Sequence, residues 1–66
     1  MEAYQLRVVK EKNELDAKRD SLDNFIRSPA FQTISKVERN LLIDQAQAME
    51  NYSIILWSRI KLWREA

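Results

Sequence analysis

Arginine, glutamate and tyrosine side chains recur at helical spacing near both ends of this sequence. Arg7 and Glu11 are four residues apart, and Arg59 falls in line with apolar residues of the segment ENYSIILWSRIKLW. A guanidinium group offers a planar fork of donors that matches a phosphate or a carboxylate. Tyr4 and Tyr52 add aromatic rings of the kind on which a nucleobase stacks. One interpretation is a site for an anionic ligand that carries a base. The other is that both tyrosines belong to the core, with their hydroxyl groups at its edge.

The composition argues against catalysis and against a metal site. The sequence has no His and no Cys, so it lacks the commonest general base, a thiol nucleophile and the usual zinc ligands. It also has no Gly, which excludes a glycine-rich phosphate loop. We therefore expect a binding protein that is not an enzyme and that has no catalytic residue, metal or cofactor.

Two helices must position these side chains. Pro29 is the single proline, and it is the one obvious interruption in a chain dominated by helix-forming residues. Ser28 and Pro29 suit the start of a short helical turn, and Ser35 precedes Glu38 at the spacing of a capping box. The sequence predicts an all-α, antiparallel two-helix hairpin in a single domain, 1–66, with helix 1 at about 2–27, a short helical turn at 28–34 and helix 2 at about 35–64.

Alternating steps of three and four residues predict the face on which the two helices meet. The predicted seam is Tyr4, Val8, Glu11, Leu15, Lys18, Leu22 and Phe25 in helix 1, and Leu42, Gln45, Met49, Tyr52, Leu56, Arg59 and Trp63 in helix 2.

Glu11 and Arg59 then fall near each other at the open end of the hairpin, with Arg7 one turn away. One interpretation is an ion cluster that sets the register of the helices, because unpaired buried charge is costly. The other is that both arginines hold an anionic ligand while Glu11 orients them. Both interpretations hold together if the site lies at a subunit interface.

A second apolar face lies off this seam and consists of Leu6, Val9, Ile54 and Trp57. A two-helix hairpin cannot bury it, and so small a chain without disulfides or metals usually needs partner subunits. We therefore expect a homo-oligomeric helical bundle built through these four residues. The net charge of +1 disfavours duplex nucleic acid, and no segment is apolar for long enough to span a membrane. We expect a soluble intracellular protein.

The segments YQLRVVKEKNELDAKRDSLDNFIRSPAFQTIS and ERNLLIDQAQAMENYSIILWSRI resemble a family of very small helical-hairpin proteins of tailed phages, including crAss-like phages. The resemblance covers most of the chain and depends on a combination of residues rather than on one motif. Trp57 departs from the family pattern, in which a small residue, often Gly, is expected. Trp63 is a second departure, and both affect the detail of the interface.

The resemblance implies a phage anti-defence sponge, which binds and sequesters the cyclic nucleotide signals of bacterial CBASS or Thoeris immunity without cleaving them. It would act in the cytoplasm of the infected host, with a cyclic dinucleotide as the expected ligand. Arg7 and Arg59 would clamp phosphates, and Tyr4 and Tyr52 would stack on or border the bases. The full predicted ligand site is Tyr4, Arg7, Glu11, Gln45, Tyr52 and Arg59.

Two other functions remain open at this point. In the first, the hairpin is a protein-interaction module that binds a host or phage protein through Trp57 and Trp63, and Arg59 is purely structural. In the second, the chain is a small nucleic-acid-binding oligomer, which the near-neutral charge argues against.

Overall fold

The structure, a computed structural model, describes residues 1–65 and consists of two antiparallel helices that pack side by side. Helix α1 is Ala3–Ile26, a 3-10 turn covers Pro29–Thr33, and helix α2 is Lys36–Glu65. The hairpin measures 48 × 15 × 14 Å, so it is an elongated rod formed by the two paired helices. The prediction of an all-helical chain with two helices joined by a short helical turn is confirmed.

The 3-10 turn closes one end of the rod. Pro29 occupies its first turn after Ser28, and the Ser28 hydroxyl donates to the Phe25 carbonyl oxygen at 2.6 Å. Phe31 is buried and meets the ring of Phe25 edge to face, with centroids 6.1 Å apart. The turn is therefore packed onto the end of α1 as well as connecting the helices.

Hydrogen bonds also join this turn to the first residues of α2. The backbone N–H of Glu38 donates to the Ser35 hydroxyl at 3.1 Å, which is the predicted N-terminal cap. The Arg39 guanidinium donates to the carbonyl oxygens of Ile34 at 3.0 Å and Gln32 at 3.4 Å. Arg39 was not singled out in the sequence, although it satisfies two carbonyl groups that the turn leaves without helical partners.

The apolar core is small and lies toward the open end of the hairpin. Val8, Leu56 and Ile60 form its buried cluster, and Val9 and Trp63 are among the partly buried residues against it. Leu56 has no exposed surface. With so few buried side chains, each one accounts for a large share of the hydrophobic stabilisation.

The predicted seam is half right: Val8 and Leu56 are buried as predicted, but the positions that alternate with them are displaced by one residue, so the seam is rotated. Ser53 and Ile60 are buried in α2, whereas the predicted seam residues Tyr52 and Arg59 are exposed. The same rotation occurs in α1, where Lys12 and Arg19 are half-buried, and where the predicted positions Glu11 and Lys18 are exposed. Arg59 is therefore not a buried charge in the hairpin, and the other predicted polar seam residues face solvent with it.

A polar layer between the helices accompanies this rotation. The Ser53 hydroxyl donates to Asp16 Oδ1 at 2.6 Å, and the Lys12 ammonium donates to Asp16 Oδ2 at 2.6 Å. Arg19 lies 4.0 Å from the same carboxylate. The Ser53–Asp16 hydrogen bond joins α1 to α2. Because both partners must meet for it to form, it favours a single register of the two helices.

This layer predicts a specific dependence of stability on pH. The hydrogen bonds from Lys12 and Ser53 hold the pKa of Asp16 below its ordinary value of 3.8. A carboxylate with a lowered pKa in the folded state contributes stability above its unfolded pKa and loses it as the pH falls through the folded pKa. We expect the wild type to lose about 1 kcal/mol more than Asp16→Asn between pH values of about 4 and 2, measured by urea unfolding.

The matched control is Asp20→Asn, because the Asp20 side chain is exposed and lies on the same helix. It should keep the acid sensitivity of the wild type. If Asp16→Asn and the wild type lost stability equally over this range, the hydrogen bonds of the Asp16 carboxylate with Lys12 and Ser53 would not stabilise the fold.

Candidate functional site

One exposed long side of the hairpin brings together three of the predicted ligand-binding residues. These residues are Glu11, Tyr52 and Arg59. The pKa of the Tyr52 phenol is raised, first by hydrogen bonding with the Glu11 carboxylate, then by partial burial and by the negative charge of Glu11. The positive charge of Arg59 opposes this shift. All three side chains are exposed. We call this surface, with Tyr4, Glu11, Tyr52, Arg59 and Trp63, the Arg59 face.

An aromatic pair forms the end of the Arg59 face. The rings of Tyr4 and Trp63 lie edge to face, with centroids 5.5 Å apart and planes at 85°. Trp63 is four residues after Arg59, so the two side chains are neighbours on one side of α2. Trp63 was predicted as a seam or protein-binding residue and not as part of the ligand site. Its spacing of four residues from Arg59 was a signal in the sequence that could have placed it beside this arginine.

The predicted ion cluster of Arg7, Glu11 and Arg59 is not formed. In the part of the chain that the structure describes, the salt bridges all lie within α1 and none involves these three residues. The rotation of the seam explains this, because exposed guanidinium groups remain hydrated and need no buried partner. Arg7 is exposed on α1, one turn from both Tyr4 and Glu11. Both guanidinium groups are thus accessible to an anion.

Gln45 is the one predicted ligand-binding residue that lies far from the others. Fourteen residues separate it from Arg59 on α2, which is about 21 Å along the helix axis. Its side chain is exposed. A single hairpin therefore does not bring Gln45 to the Arg59 face.

The predicted oligomer interface is exposed on the opposite side of the hairpin. Leu6, Ile54 and Trp57 are all large exposed hydrophobic residues, and Val9 packs partly against the core. The Arg64 guanidinium lies over the Trp57 ring, 6.0 Å from its centroid. This cation–π contact covers part of the patch that the sequence indicated.

A cavity of about 430 Å³ opens on the hairpin toward the turn end and contains none of the predicted ligand-binding residues. Its lining consists of Arg19, Asp23, Ile26, Ile43, Ala46, Gln47 and Glu50. Arg19 is already beside Asp16 and Asp20, so the remaining charges of the lining are acidic. A phosphate is repelled there, and the Arg59 face is the better match to an anion.

Comparisons with known proteins agree with a small phage protein. The Sequestin family model matches residues 2–62. The chain belongs to the Sequestin family. It is 42% identical over 60 residues to an uncharacterized 7.5 kDa protein from the denB-rIIB intergenic region of Enterobacteria phage T4, covering 91% of this chain and 94% of that protein. The resemblance to a family of small phage proteins is confirmed. No solved structure matches the chain.

The described residues of this Sequestin chain contain neither a metal-ion cluster nor a membrane-spanning helix. The side chains described by the structure, those of residues 1–64, contain no group of three or more His, Cys, Asp or Glu residues arranged to hold a metal ion. Neither α1 nor α2 has a stretch both long and apolar enough to cross a membrane. The Arg59 face has donors and aromatic rings, which suit binding of an anionic aromatic ligand.

Proposed function

We propose that this chain is a phage anti-defence sponge that binds and sequesters cyclic nucleotide immune signals, such as those of CBASS or Thoeris systems, without cleaving them. The observation that carries the proposal is the accessible guanidinium of Arg59 beside Tyr52 and near the Tyr4–Trp63 pair. The family name Sequestin denotes sequestration, and the T4 relative is a phage protein. Such a sponge would act as a homo-oligomer in the cytoplasm of the infected host.

The Arg59 face suits a cyclic dinucleotide in charge and in aromatic surface. Arg59 and Arg7 would donate charge-assisted hydrogen bonds to the phosphates, which are the strongest contacts available to such a ligand. Tyr4 and Tyr52 would stack on or border the bases. Glu11, which interacts with the Tyr52 hydroxyl, would help to orient this ring.

Sequestration requires affinity and no chemistry. The sequence has neither His nor Cys, and Glu11 raises the pKa of the Tyr52 phenol, which keeps that hydroxyl protonated and does not activate it as a nucleophile. We therefore propose that bound ligand leaves the protein unchanged, as a sponge requires.

A thermal-shift screen tests this function directly. The purified protein is heated with a panel of cyclic dinucleotides, cyclic trinucleotides and cyclic ADP-ribose isomers. A ligand at a hundred times its dissociation constant adds about 2.7 kcal/mol of stability, which corresponds to a shift of about 10 °C or more in so small a protein. Recovery of intact ligand after heat denaturation separates a sponge from an enzyme.

The exposed patch around Trp57 favours one alternative, a module that binds a host or phage protein. That function predicts no shift with any nucleotide in the panel. Binding of a protein partner would then be lost on Trp57→Ala and kept on Arg59→Ala, which is the reverse of the result expected for a nucleotide sponge.

A further inference from the structure

Helix α2 carries a second row of residues at coiled-coil spacing, on the side that includes the Arg59 face. The row advances in alternating steps of four and three residues, and α1 does not cover it, because α1 packs against Ser53, Leu56 and Ile60. We call it the α2 stripe, and its members are Leu41, Gln45, Ala48, Tyr52, Ile55, Arg59 and Leu62.

The α2 stripe has the apolar character of an interface. Every second residue of the stripe is apolar, and residues at this spacing usually form a buried seam between helices. In the single hairpin, however, Leu41, Ile55 and Leu62 are 61%, 57% and 68% exposed. The neighbouring positions Leu42 and Met49 are half-buried against α1. A helix packed on the stripe would therefore extend the existing core and would not form a separate one.

The α2 stripe matches itself when its direction is reversed. About a point near Tyr52, Leu41 falls opposite Leu62 and Ala48 falls opposite Ile55, to within one residue. Leucine then meets leucine, and a small side chain meets a large one. A two-fold symmetric contact between identical chains requires a surface that is complementary to a second copy of itself, and the antiparallel α2 stripe meets this requirement.

Reversal of the stripe also places Gln45 opposite Arg59. In one hairpin these residues are about 21 Å apart along α2. In an antiparallel pair, the Gln45 of a second copy lies within about one helical turn of Arg59. Its amide offers both donors and an acceptor to a base edge, which guanidinium groups and aromatic rings do not.

We infer that a second copy of this chain packs antiparallel on the α2 stripe and that its Gln45 completes the nucleotide site at Arg59. The inference about the site rests on the proposed function, whereas the pairing of the two chains does not. This pairing is distinct from the patch of Leu6, Val9, Ile54 and Trp57, which lies on the other side of the hairpin.

Two adjacent isoleucines provide a matched test of the interface. Ile54 and Ile55 are 55% and 57% exposed, and they point about 100° apart around α2. Sedimentation equilibrium without ligand should show an oligomeric wild type, and Ile55→Gln should raise the dissociation constant at least about tenfold more than Ile54→Gln. An equal or larger effect of Ile54→Gln, or a monomeric wild type at high concentration, would overturn the pairing.

Disulfide trapping tests the direction of the pair. The chain has no Cys, and positions 41 and 62 are about 32 Å apart along α2, so a disulfide between them forms only between two copies. The double variant Leu41→Cys with Leu62→Cys should give covalent dimers under mild oxidation, and each single variant should give few. If a single variant formed covalent dimers as readily as the double variant, the pair would be parallel, and the antiparallel arrangement would be overturned.

Binding measurements separate failure of the pairing from failure of the proposed function. Gln45→Ala should keep the oligomer and weaken nucleotide binding about tenfold, measured by calorimetry with a ligand from the thermal-shift panel. Unchanged affinity would remove Gln45 from the site. An oligomer that binds no nucleotide would overturn the proposed function alone, and a monomer that binds nucleotide would overturn the pairing alone.

Discussion

The Leu56→Ala variant is expected to lose about 2–5 kcal/mol of unfolding free energy, and so to be largely unfolded at physiological temperature. Leu56 is completely buried, and it contacts the small cluster that contains Val8 and Ile60. A single core in a chain of this size supplies only a few kcal/mol in total. Removal of its central side chain leaves a cavity that two helices have little means to fill. Circular dichroism with urea titration measures the loss.

The control for this variant is Val37→Ala. Val37 is 71% exposed near the start of α2, and it lies outside both the Trp57 patch and the α2 stripe. Its truncation should change the free energy of unfolding by no more than about 0.5 kcal/mol. Equal stability of the two variants would mean that Leu56 does not lie between the helices, and that the packing described for the hairpin is wrong.

The two helices and their connection are readable from the sequence because the signals for them are local. Pro29 stands alone as a breaker in a chain without Gly, and Ser35 lies three residues before the Glu38 N–H that it caps. Ser28 precedes the 3-10 turn as predicted, but its hydroxyl donates to the Phe25 carbonyl oxygen and does not cap the turn. Such signals depend only on neighbours in the chain, so they survive without knowledge of the tertiary structure.

The rotation of the seam was predictable in this way at one step only, where the apolar Ile60 is buried and the prediction chose its charged neighbour Arg59. Apolar character favours Tyr52 over Ser53 as the buried residue, and the prediction followed it. The structure buries Ser53 because its hydroxyl bonds to Asp16 across the hairpin, 37 residues earlier in the sequence. A buried hydroxyl with a charged partner is stable, but nothing in the local pattern identifies that partner.

The proximity of Glu11, Tyr52 and Arg59 could be predicted from the pairing of the two helices. Antiparallel pairing brings the side of α1 with Glu11 next to the side of α2 with Tyr52 and Arg59, and the influence of both charged groups on the Tyr52 pKa agrees with this. The error concerned burial. Since these residues are exposed, the predicted ion cluster is unnecessary, and the arginines remain accessible. Within one hairpin Gln45 does not reach the site, because a helix separates residues along its axis even when they share one side.

The Arg59→Gln variant is expected to weaken cyclic nucleotide binding about 10- to 150-fold while leaving the fold intact. Loss of charge-assisted hydrogen bonds costs about 1.5–3 kcal/mol, and each 1.4 kcal/mol corresponds to about a factor of ten in affinity. Arg59 is exposed and forms no salt bridge with another described residue. Its removal should therefore alter the free energy of unfolding by no more than about 0.5 kcal/mol. Calorimetry with the ligand found in the thermal-shift screen measures the affinity.

Lys61→Gln is the matched control, because it removes one positive charge two residues away, about 200° around α2. Its exposed ammonium attracts any anion through solvent, and screening by salt should limit its effect to less than about threefold. Equal losses in both variants would mean that the protein attracts anions only by its overall charge. Arg59→Lys distinguishes charge from shape, because it keeps the charge and loses the fork. An affinity between those of the wild type and Arg59→Gln would show that the planar guanidinium itself recognises phosphate, which sequestration at low signal concentration requires.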